Sequence, residues 1–283
     1  MRGQSFYDFA GVPREDGFFF TPHSPFLGVF DGCSEPWWLP EHPPIEYPGG
    51  LTGGQVVSKT CHRVFASATP QDELRPVILT ANEIVAELQE KYGGPAVSLS
   101  DASTLANASF SFVKVLDEKA GLVEAIWGAD VFTILRTTSD EVTIVGGDNR
   151  ECDLEREELY KGLVVVKGGE GKREYFRDVY PGLKRKEENV KFAVLNGSPA
   201  IEHCWNVLCV DNVNLLIVLS DGAWIPIERW GENLAMAKEF VSRFERNGLA
   251  DTINNWVRPM QQAGIASARA QRPEATALAV SLG

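Results

Sequence analysis

The chain has 283 residues, of which 44% are hydrophobic and 23% are charged, as in an ordinary globular protein. Its 39 acidic residues outnumber its 27 basic residues and give a formal charge of -12. A surface this negative repels nucleic-acid backbones and anionic lipid heads, so we expect neither nucleic acid nor a membrane as a partner. No apolar run approaches the roughly 18 residues of a membrane span, and no signal peptide is evident. We expect a cytoplasmic protein with a single domain over 1–283.

The N-terminal region predicts a β-hairpin followed by a loop. The apolar runs FFF and FLGVF flank a Pro-containing turn between residues 17 and 31, a pattern typical of two short buried strands. Residues 33–52 are rich in Pro and Trp, and each Pro removes a backbone donor, so we predict a surface loop there. The five cysteines form no CxxC pair, which favours free thiols.

Two helices, a β-rich block and a charged segment follow. Gly53 opens an apolar-periodic stretch that predicts the first helix, and the capping-box spacing of Thr80 and Glu83 predicts the start of the second. Four β-like runs within 109–145 predict antiparallel strands. Residues 167–191 are strongly charged and show little apolar periodicity, so we expect an exposed loop or flap.

The last third of the chain adds two strands, a helix and a final strand. Residues 205–209 and 215–220 have strand-like patterns, an apolar helical stripe ends at Gly248, and TALAVSL is typical of a strand. Strands in antiparallel blocks with helices grouped between them predict an α/β (α+β) sandwich. In this fold class, two packed, mainly antiparallel β-sheets are flanked by helices.

Acidic residues stand at three corners of this predicted sandwich. The strings FLGVFDG and LLIVLSDG place Asp31 and Asp221 at the ends of buried strands, and Glu15 and Asp16 directly precede the FFF strand. A single Asp-Gly pair is most often a turn, since Asp bonds its own backbone and Gly accepts positive φ. Several carboxylates from different segments that meet at one edge of a core instead suit hard cations such as Mg²⁺ or Mn²⁺.

These motifs, in this order, resemble those of the type-2C (metal-dependent, PPM-type) serine/threonine protein phosphatases. The matching strings are REDGFFF, GVFDGCSEP, TGGQVVS, the β block 109–145, IVLSDGAW and RPEATALAVSL. VLNGSP at 194–199 is similar to bacterial members. The resemblance spans nearly the whole chain. It implies hydrolysis of phosphoserine or phosphothreonine in a phosphorylated protein substrate, with two Mn²⁺ or Mg²⁺ ions.

Matching positions imply individual roles at that site. Asp31 would bridge both cations, the carbonyl of Gly32 would bind one of them, and Asp221 would bind the other. Glu15 would reach a cation through water, and Asp16 would orient metal-bound water. The resemblance further implies that water or hydroxide held between the metals attacks phosphorus, without a covalent enzyme intermediate.

The chain departs from the family pattern at three places. The usual phosphate-binding Arg position is occupied by Gly11, which leaves Arg14 as the candidate for this catalytic role. The carboxylate that normally follows Gly128 is shifted to Asp130, which in a continuing strand faces the opposite side, so we expect no extra metal site there. At the last strand the usual ligand position is Pro273, and Glu274 is the candidate ligand beside it.

The main alternative is a pseudophosphatase that keeps the sandwich and acts as a protein-binding module, because fold does not fix function. Other phosphoryl-transfer and hydrolytic classes lack their required residues. An aspartate-nucleophile phosphatase needs a second Asp where this chain has Cys33, and neither a GxxxxGK[ST] phosphate loop nor a GxSxG elbow is present.

Overall fold

The structure is a computed structural model that describes residues 1–8, 14–34, 45–264 and 274–283. Its strands are β1 (Arg2–Asp8), β2 (Gly17–Phe20), β3 (Phe26–Cys33), β4 (Asn107–Asp117), β5 (Leu122–Gly128), β6 (Phe132–Thr137), β7 (Val142–Val145), β8 (Asn206–Val210), β9 (Val213–Leu219) and β10 (Ala275–Ser281). Its α-helices are α1 (Gly53–Ser67), α2 (Leu74–Gly93), α3 (Arg150–Lys167), α4 (Gly169–Glu174), α5 (Tyr180–Glu187), α6 (Asn233–Asn247), α7 (Leu249–Thr252) and α8 (Arg258–Gly264). Among the described residues, no helix is both long enough and apolar enough to cross a membrane.

The strands form two five-stranded sheets. The first sheet has the order β1-β10-β9-β6-β7 and the second the order β2-β3-β4-β5-β8. Every pairing between these strands is antiparallel. The predicted fold class, two antiparallel sheets flanked by helices, is therefore confirmed.

The alternation of side chains along each strand builds the layers. In β3, Leu27 and Val29 point into the apolar layer between the sheets, where they pack with Leu216 and other residues of the first sheet. Phe26 and Phe30 point the other way, into the layer beneath α1 and α2. Because both faces of β3 are buried, its sequence reads as a continuous apolar run.

The helices cover the outer faces with apolar stripes. Phe65 of α1 stacks on Phe112 of the second sheet, with ring centroids 4.2 Å apart. On the first sheet, Phe240 of α6 packs in one apolar cluster with Ile217. The helix starting at Gly53 and the helix ending before Gly248 are both confirmed.

Two predictions in the middle of the chain need refinement. The block 109–145 does contain four strands, but β4 and β5 belong to the second sheet and β6 and β7 to the first. The second helix begins at Leu74 rather than near Thr80. The Thr80 hydroxyl donates to the carbonyl of Pro76 at 2.9 Å, within the helix, so it does not cap the N-terminus.

The prediction of an exposed loop or flap over 167–191 is wrong for most of that segment. Residues 169–187 are helical throughout, since a π-helical turn at Tyr175–Val179 joins α4 to α5. Lys184 is fully buried and donates from Nζ to the carbonyl of Leu105 at 2.9 Å. Apolar periodicity is weak because some of the inward positions carry paired charges.

The predicted surface loop 33–52 lies partly outside the described residues, which omit 35–44. Its first residue, Cys33, is the last residue of β3. Its described end contains a bridge between Tyr47 and Leu51, and Thr52 caps α1. All five cysteines are free thiols, and two of them, Cys61 and Cys152, are buried.

Candidate active site

The acidic residues that the sequence places at three corners lie at one end of the sandwich. In antiparallel sheets, the end of one strand lies beside the start of its neighbour. Asp31 near the end of β3 therefore pairs with Ser109 at the start of β4, while β9 ends just before Asp221 and β10 begins just after Glu274. The β5–β6 turn, which contains Asp130, lies at the same end.

The structure brings carboxylates from these corners together. Burial raises the pKa of Asp31 well above its usual range, and the negative charges of Asp16, Asp221 and Asp130 raise it further. Burial is also the main reason that the pKa of Asp16 rises to about 8, followed by the charge of Glu274. The arrangement is a pocket of negative charge at the edge of a hydrophobic core.

Hydrogen bonds fix two of these residues, and sequence reasoning missed both partners. The Ser220 hydroxyl donates to Asp16 Oδ2 at 2.9 Å and accepts from the backbone N–H of Thr276 at 2.9 Å. Gln261 donates from Nε2 to the carbonyl of Asp221 at 3.0 Å. Ser220 directly precedes the second Asp-Gly pair, so its position in the sequence could have indicated a role at this site. The sequence around Gln261 gives no indication that it contacts Asp221, 40 residues earlier.

The glycines of the two Asp-Gly corners are required by close approach of backbones. A Cβ at Gly222 would lie 1.6 Å from the carbonyl oxygen of Glu274, and a Cβ at Gly32 would lie 2.6 Å from that of Glu15. Any larger residue would push these segments apart. The glycines thus let β3 and β9 end directly against the acidic segments.

Glu15 is held at the N-terminus of α1. The hydroxyls of Ser34 and Thr52 both donate to its Oε1, and the Ser34 hydroxyl also accepts from the backbone N–H of Gly54 at 3.2 Å. Burial raises the pKa of Glu15, while the two hydroxyl donors act in the opposite direction. A helix N-terminus also favours negative charge, so Glu15 is stabilised in a fixed orientation.

Glu274 and Arg14 meet at Tyr7. Glu274 Oε2 accepts from the backbone N–H of Glu15 at 2.9 Å, and its Oε1 accepts from the Tyr7 hydroxyl. The Arg14 guanidinium carbon lies 3.5 Å from the centre of the Tyr7 ring, and Arg14 is exposed. Burial, followed by the bond to Glu274, raises the pKa of Tyr7, so its hydroxyl stays a proton donor.

The expected placement of Asp130 on the opposite face is wrong. Ala129 adopts a φ of 62°, which turns the chain after β5 and ends the strand alternation. Asp130 consequently acts on Asp31, as the pKa of Asp31 indicates. Its Oδ2 accepts from Asn149 Nδ2 at 3.2 Å, and its Oδ1 is buried without a hydrogen-bond partner.

The donor chemistry of this pocket suits a hard divalent cation. Its side chains offer carboxylate oxygens, and the unpartnered Oδ1 of Asp130 is a buried acceptor that lacks a donor. Within the described ranges, however, no three acidic, His or Cys side chains are arranged as a ready-made metal cage. Gly11 and Pro273, where the sequence departs from the family pattern, lie outside the described residues.

Comparisons with known proteins identify the fold. No protein-family model and no curated protein matches the sequence. The serine/threonine phosphatase PstP/Ppp of Mycobacterium tuberculosis is 12% identical with a TM-score of 0.57, covering 99% of this chain and 98% of that one. The catalytic domain of PstP in complex with two manganese ions is 11% identical with a TM-score of 0.56, covering 99% and 97%. The PPM Ser-Thr phosphatase MsPP of Mycobacterium smegmatis, in complex with cacodylate, is 14% identical with a TM-score of 0.55, covering 100% and 99%.

The chain therefore has the fold of the PPM-type serine/threonine phosphatases over nearly its whole length. The resemblance drawn from the ordered sequence motifs is confirmed at this level. With identities of 11% to 14%, the likeness establishes the fold, and the activity is inferred from the residues of the pocket.

Proposed function

We propose that the chain, as a single domain, is a metal-dependent phosphatase that hydrolyses phosphoserine and phosphothreonine in proteins. The observation that carries this proposal is the convergence of Asp16, Asp31 and Asp221 at one end of a sandwich that has the fold of such phosphatases. Carboxylates that converge at the edge of a core, where burial and neighbouring negative charges raise the pKa values of Asp16 and Asp31, are a common mark of functional sites, because a core gains no stability from them.

The residues divide into metal holders and positioning groups. Asp31 and Asp221 would hold two Mn²⁺ or Mg²⁺ ions, with Gly32 adding its carbonyl and Asp130 a further carboxylate. Such cations lower the pKa of water and neutralise charge on the phosphoryl oxygens. Asp16, oriented by its hydrogen bond from Ser220, would accept a hydrogen bond from the attacking water and aim it at phosphorus.

Manganese is supported by the solved structure of PstP, which is in complex with two manganese ions. Glu15 fits a supporting role better than direct contact, because the hydroxyls of Ser34 and Thr52 already occupy one oxygen. It would act through an intervening water. Both oxygens of Glu274 also accept hydrogen bonds, so its role as a direct metal ligand has weaker support.

The substrate proposal rests on charge. With a formal charge of -12, the chain repels polyanions such as nucleic acids, and we propose a phosphorylated protein segment instead. Arg14 is an exposed cation next to Glu15 in the chain, and it would pair with the phosphate of that segment.

The alternative is a pseudophosphatase that binds proteins without turnover. Two observations favour it: the described residues form no ready-made metal cage, and Glu274 is engaged by Tyr7 and Glu15. An inactive chain would keep the fold and could still recognise a phosphorylated partner through Arg14.

One assay separates the two functions. The purified chain is incubated with p-nitrophenyl phosphate and with a phosphoserine peptide, with Mn²⁺, with Mg²⁺, and with EDTA. The proposed phosphatase releases phosphate from both substrates with a divalent cation, and EDTA stops the release. If no cation produces release above that of the Asp31→Asn variant, the chain is not a phosphatase and the binding module is favoured.

A further inference from the structure

The ring and the hydroxyl of Tyr7 contact different residues near Glu15 and Asp16, the acidic pair that precedes β2. Its ring face lies 3.5 Å from the Arg14 guanidinium carbon, within the range of a close cation–π stack. Its hydroxyl donates to Glu274 Oε1 and lies 3.5 Å from the carbonyl of Asp16. Tyr7 itself is fixed by β1, where it pairs with Thr276 of β10.

We infer that Tyr7 is a positioning residue of the active site: its ring presents Arg14 to the substrate phosphate, and its hydroxyl, through Glu274, holds the acidic pair in place. This inference rests on the proposed function, because it assigns Arg14 the substrate phosphate. It also assigns Glu274 a structural role: the Glu274 carboxylate connects β1 to the acidic pair and is not a metal ligand.

The ring contact has a physical reason to matter. Arg14 is exposed, and a free arginine side chain loses considerable rotamer entropy when it binds an anion. A guanidinium already stacked on a rigid ring has lost part of that freedom beforehand, so less is lost per hydrogen bond formed to phosphate. In such a stack the plane of the guanidinium lies against the ring, so its N–H donors point outward from the edge of that plane, where an anion can bind them.

The hydroxyl contact acts on a different group. Glu274 accepts from Tyr7 at Oε1 and from the backbone N–H of Glu15 at Oε2, so its carboxylate ties the end of β1 to the segment before β2. Asp16 follows Glu15 directly, and its side chain is buried among the other carboxylates. Loss of the hydroxyl should therefore loosen Glu15 and Asp16, while the ring keeps its stack with Arg14.

Two substitutions separate the two contacts. Tyr7→Phe keeps the ring and removes the hydroxyl, whereas Tyr7→Leu removes both. With a phosphoserine peptide and saturating Mn²⁺, we expect Tyr7→Phe to lower kcat and leave KM unchanged. Tyr7→Leu should in addition raise KM about threefold, the range expected for one exposed cation–π stack. Arg14→Ala should raise KM about tenfold, as for loss of a charged hydrogen bond.

The double variant Tyr7→Leu/Arg14→Ala is the decisive control. If Tyr7 acts on KM through Arg14, the double variant has the KM of Arg14→Ala alone. The inference is overturned if the two effects on KM multiply, if Tyr7→Phe raises KM as much as Tyr7→Leu does, or if Arg14→Ala leaves KM unchanged. A purely structural role for Tyr7 would give one of the first two results.

Peptide binding provides a readout that does not need turnover. The affinity of the same phosphoserine peptide is measured by calorimetry in EDTA for the parent, Tyr7→Phe, Tyr7→Leu and Arg14→Ala chains. If the parent has no phosphatase activity, the proposed function fails, yet weaker binding by Tyr7→Leu and Arg14→Ala, with Tyr7→Phe unchanged, still supports the ring contact. In an inactive chain, equal binding by all four chains, or no binding by the parent, overturns the inference.

Discussion

The Ser220 hydroxyl links Asp16 to the last strand of the first sheet. It donates to Asp16 Oδ2 and accepts from the backbone N–H of Thr276, with both distances at 2.9 Å. Ser220 is fully buried, so water is not available to replace it at either partner. One hydroxyl thereby couples the position of a proposed catalytic carboxylate to the register of the sheet.

Ser220→Ala should therefore impair metal-dependent catalysis as well as stability. The variant leaves the buried N–H of Thr276 without an acceptor and Asp16 without its donor, at a cost of about 1–3 kcal/mol in the free energy of unfolding. Because Asp16 is no longer oriented, we expect kcat to fall about tenfold. Denaturant unfolding and steady-state kinetics measure the two effects.

Ser111→Ala is the matched control for that experiment. Ser111 is also fully buried, and its hydroxyl pairs with that of Thr133 at 2.6 Å within the sandwich. This variant should lose stability with an unchanged kcat. Equal kcat values for the Ser220 and Ser111 variants would show that Ser220 has only a structural role.

Asp31→Asn and Asp221→Asn should each abolish activity and leave the fold intact. Both remove a charge that holds the cations, so we expect a loss greater than about 100-fold, the upper range for groups that only support a metal ligand. Asp31→Asn should also raise the thermal midpoint of the chain in EDTA. In the folded chain, burial and then the nearby charges of Asp16, Asp221 and Asp130 disfavour the Asp31 carboxylate, and an amide of the same shape removes both costs.

Asp178→Asn provides the control for charge removal as such. Asp178 is exposed and pairs with Arg177 at 2.7 Å, away from the acidic corners in the sequence. We expect no change in activity or thermal midpoint, since surface pairs contribute little. Normal turnover by Asp31→Asn or Asp221→Asn would contradict the assignment of the metal site.

The sequence predicted those parts of the fold and site that depend on local patterns. The apolar runs before the two Asp-Gly pairs predict buried strands, and the structure has Asp31 near the end of β3 and Asp221 just after β9, because a continuous apolar run must end where the chain leaves the core. The apolar-periodic stretch that opens at Gly53 likewise predicts α1, which begins at that residue. These signals lie within a few residues of the feature they predict.

The parts that sequence reasoning missed depend on contacts between distant segments. The partnership of Gln261 with Asp221 has no local signal at all. The predicted position of Asp130 was wrong because Ala129 adopts a left-handed conformation, which is unusual for alanine and cannot be predicted from its residue type. The helices within 169–187 were missed because Lys184 is buried among polar partners, whereas periodicity detects only apolar burial.

Lys184→Ala tests whether that charged segment is part of the core. Lys184 Nζ lies 3.6 Å from Glu188 Oε1, and both side chains are buried. Removal of the cation would leave the Glu188 carboxylate buried without its ion pair, so we expect a loss of about 3–5 kcal/mol in the free energy of unfolding. Lys186→Ala, at an exposed position of the same helix, should cost under about 0.5 kcal/mol. Similar stability of the two variants would contradict the buried ion pair.

The last prediction concerns the position before Glu274. Pro273 itself lies outside the described residues, but its neighbour is placed: Glu274 raises the pKa of Asp16, and its carbonyl approaches Gly222 so closely that no Cβ would fit there. Proline offers no carboxylate to a cation, so one of the two proposed ions has fewer anionic ligands than Asp at this position would give. We expect the parent chain to need a high Mn²⁺ concentration for activity.

Pro273→Asp should then tighten Mn²⁺ binding by about tenfold or more and raise turnover at low Mn²⁺, as measured by calorimetry and by kinetics at several metal concentrations. Pro273→Asn is the matched control, since it has nearly the same shape as Asp, also removes the proline ring, and adds no charge. Glu274→Gln distinguishes the two roles of the neighbouring carboxylate. If Glu274 only connects β1 to the acidic pair, the variant should have a lower kcat with little change in Mn²⁺ affinity. If Glu274 binds a cation, both kcat and Mn²⁺ affinity should fall. If Pro273→Asp and Pro273→Asn bind Mn²⁺ equally, the negative charge at this position does not reach the metal site, and the C-terminal strand entry takes no part in holding the cations.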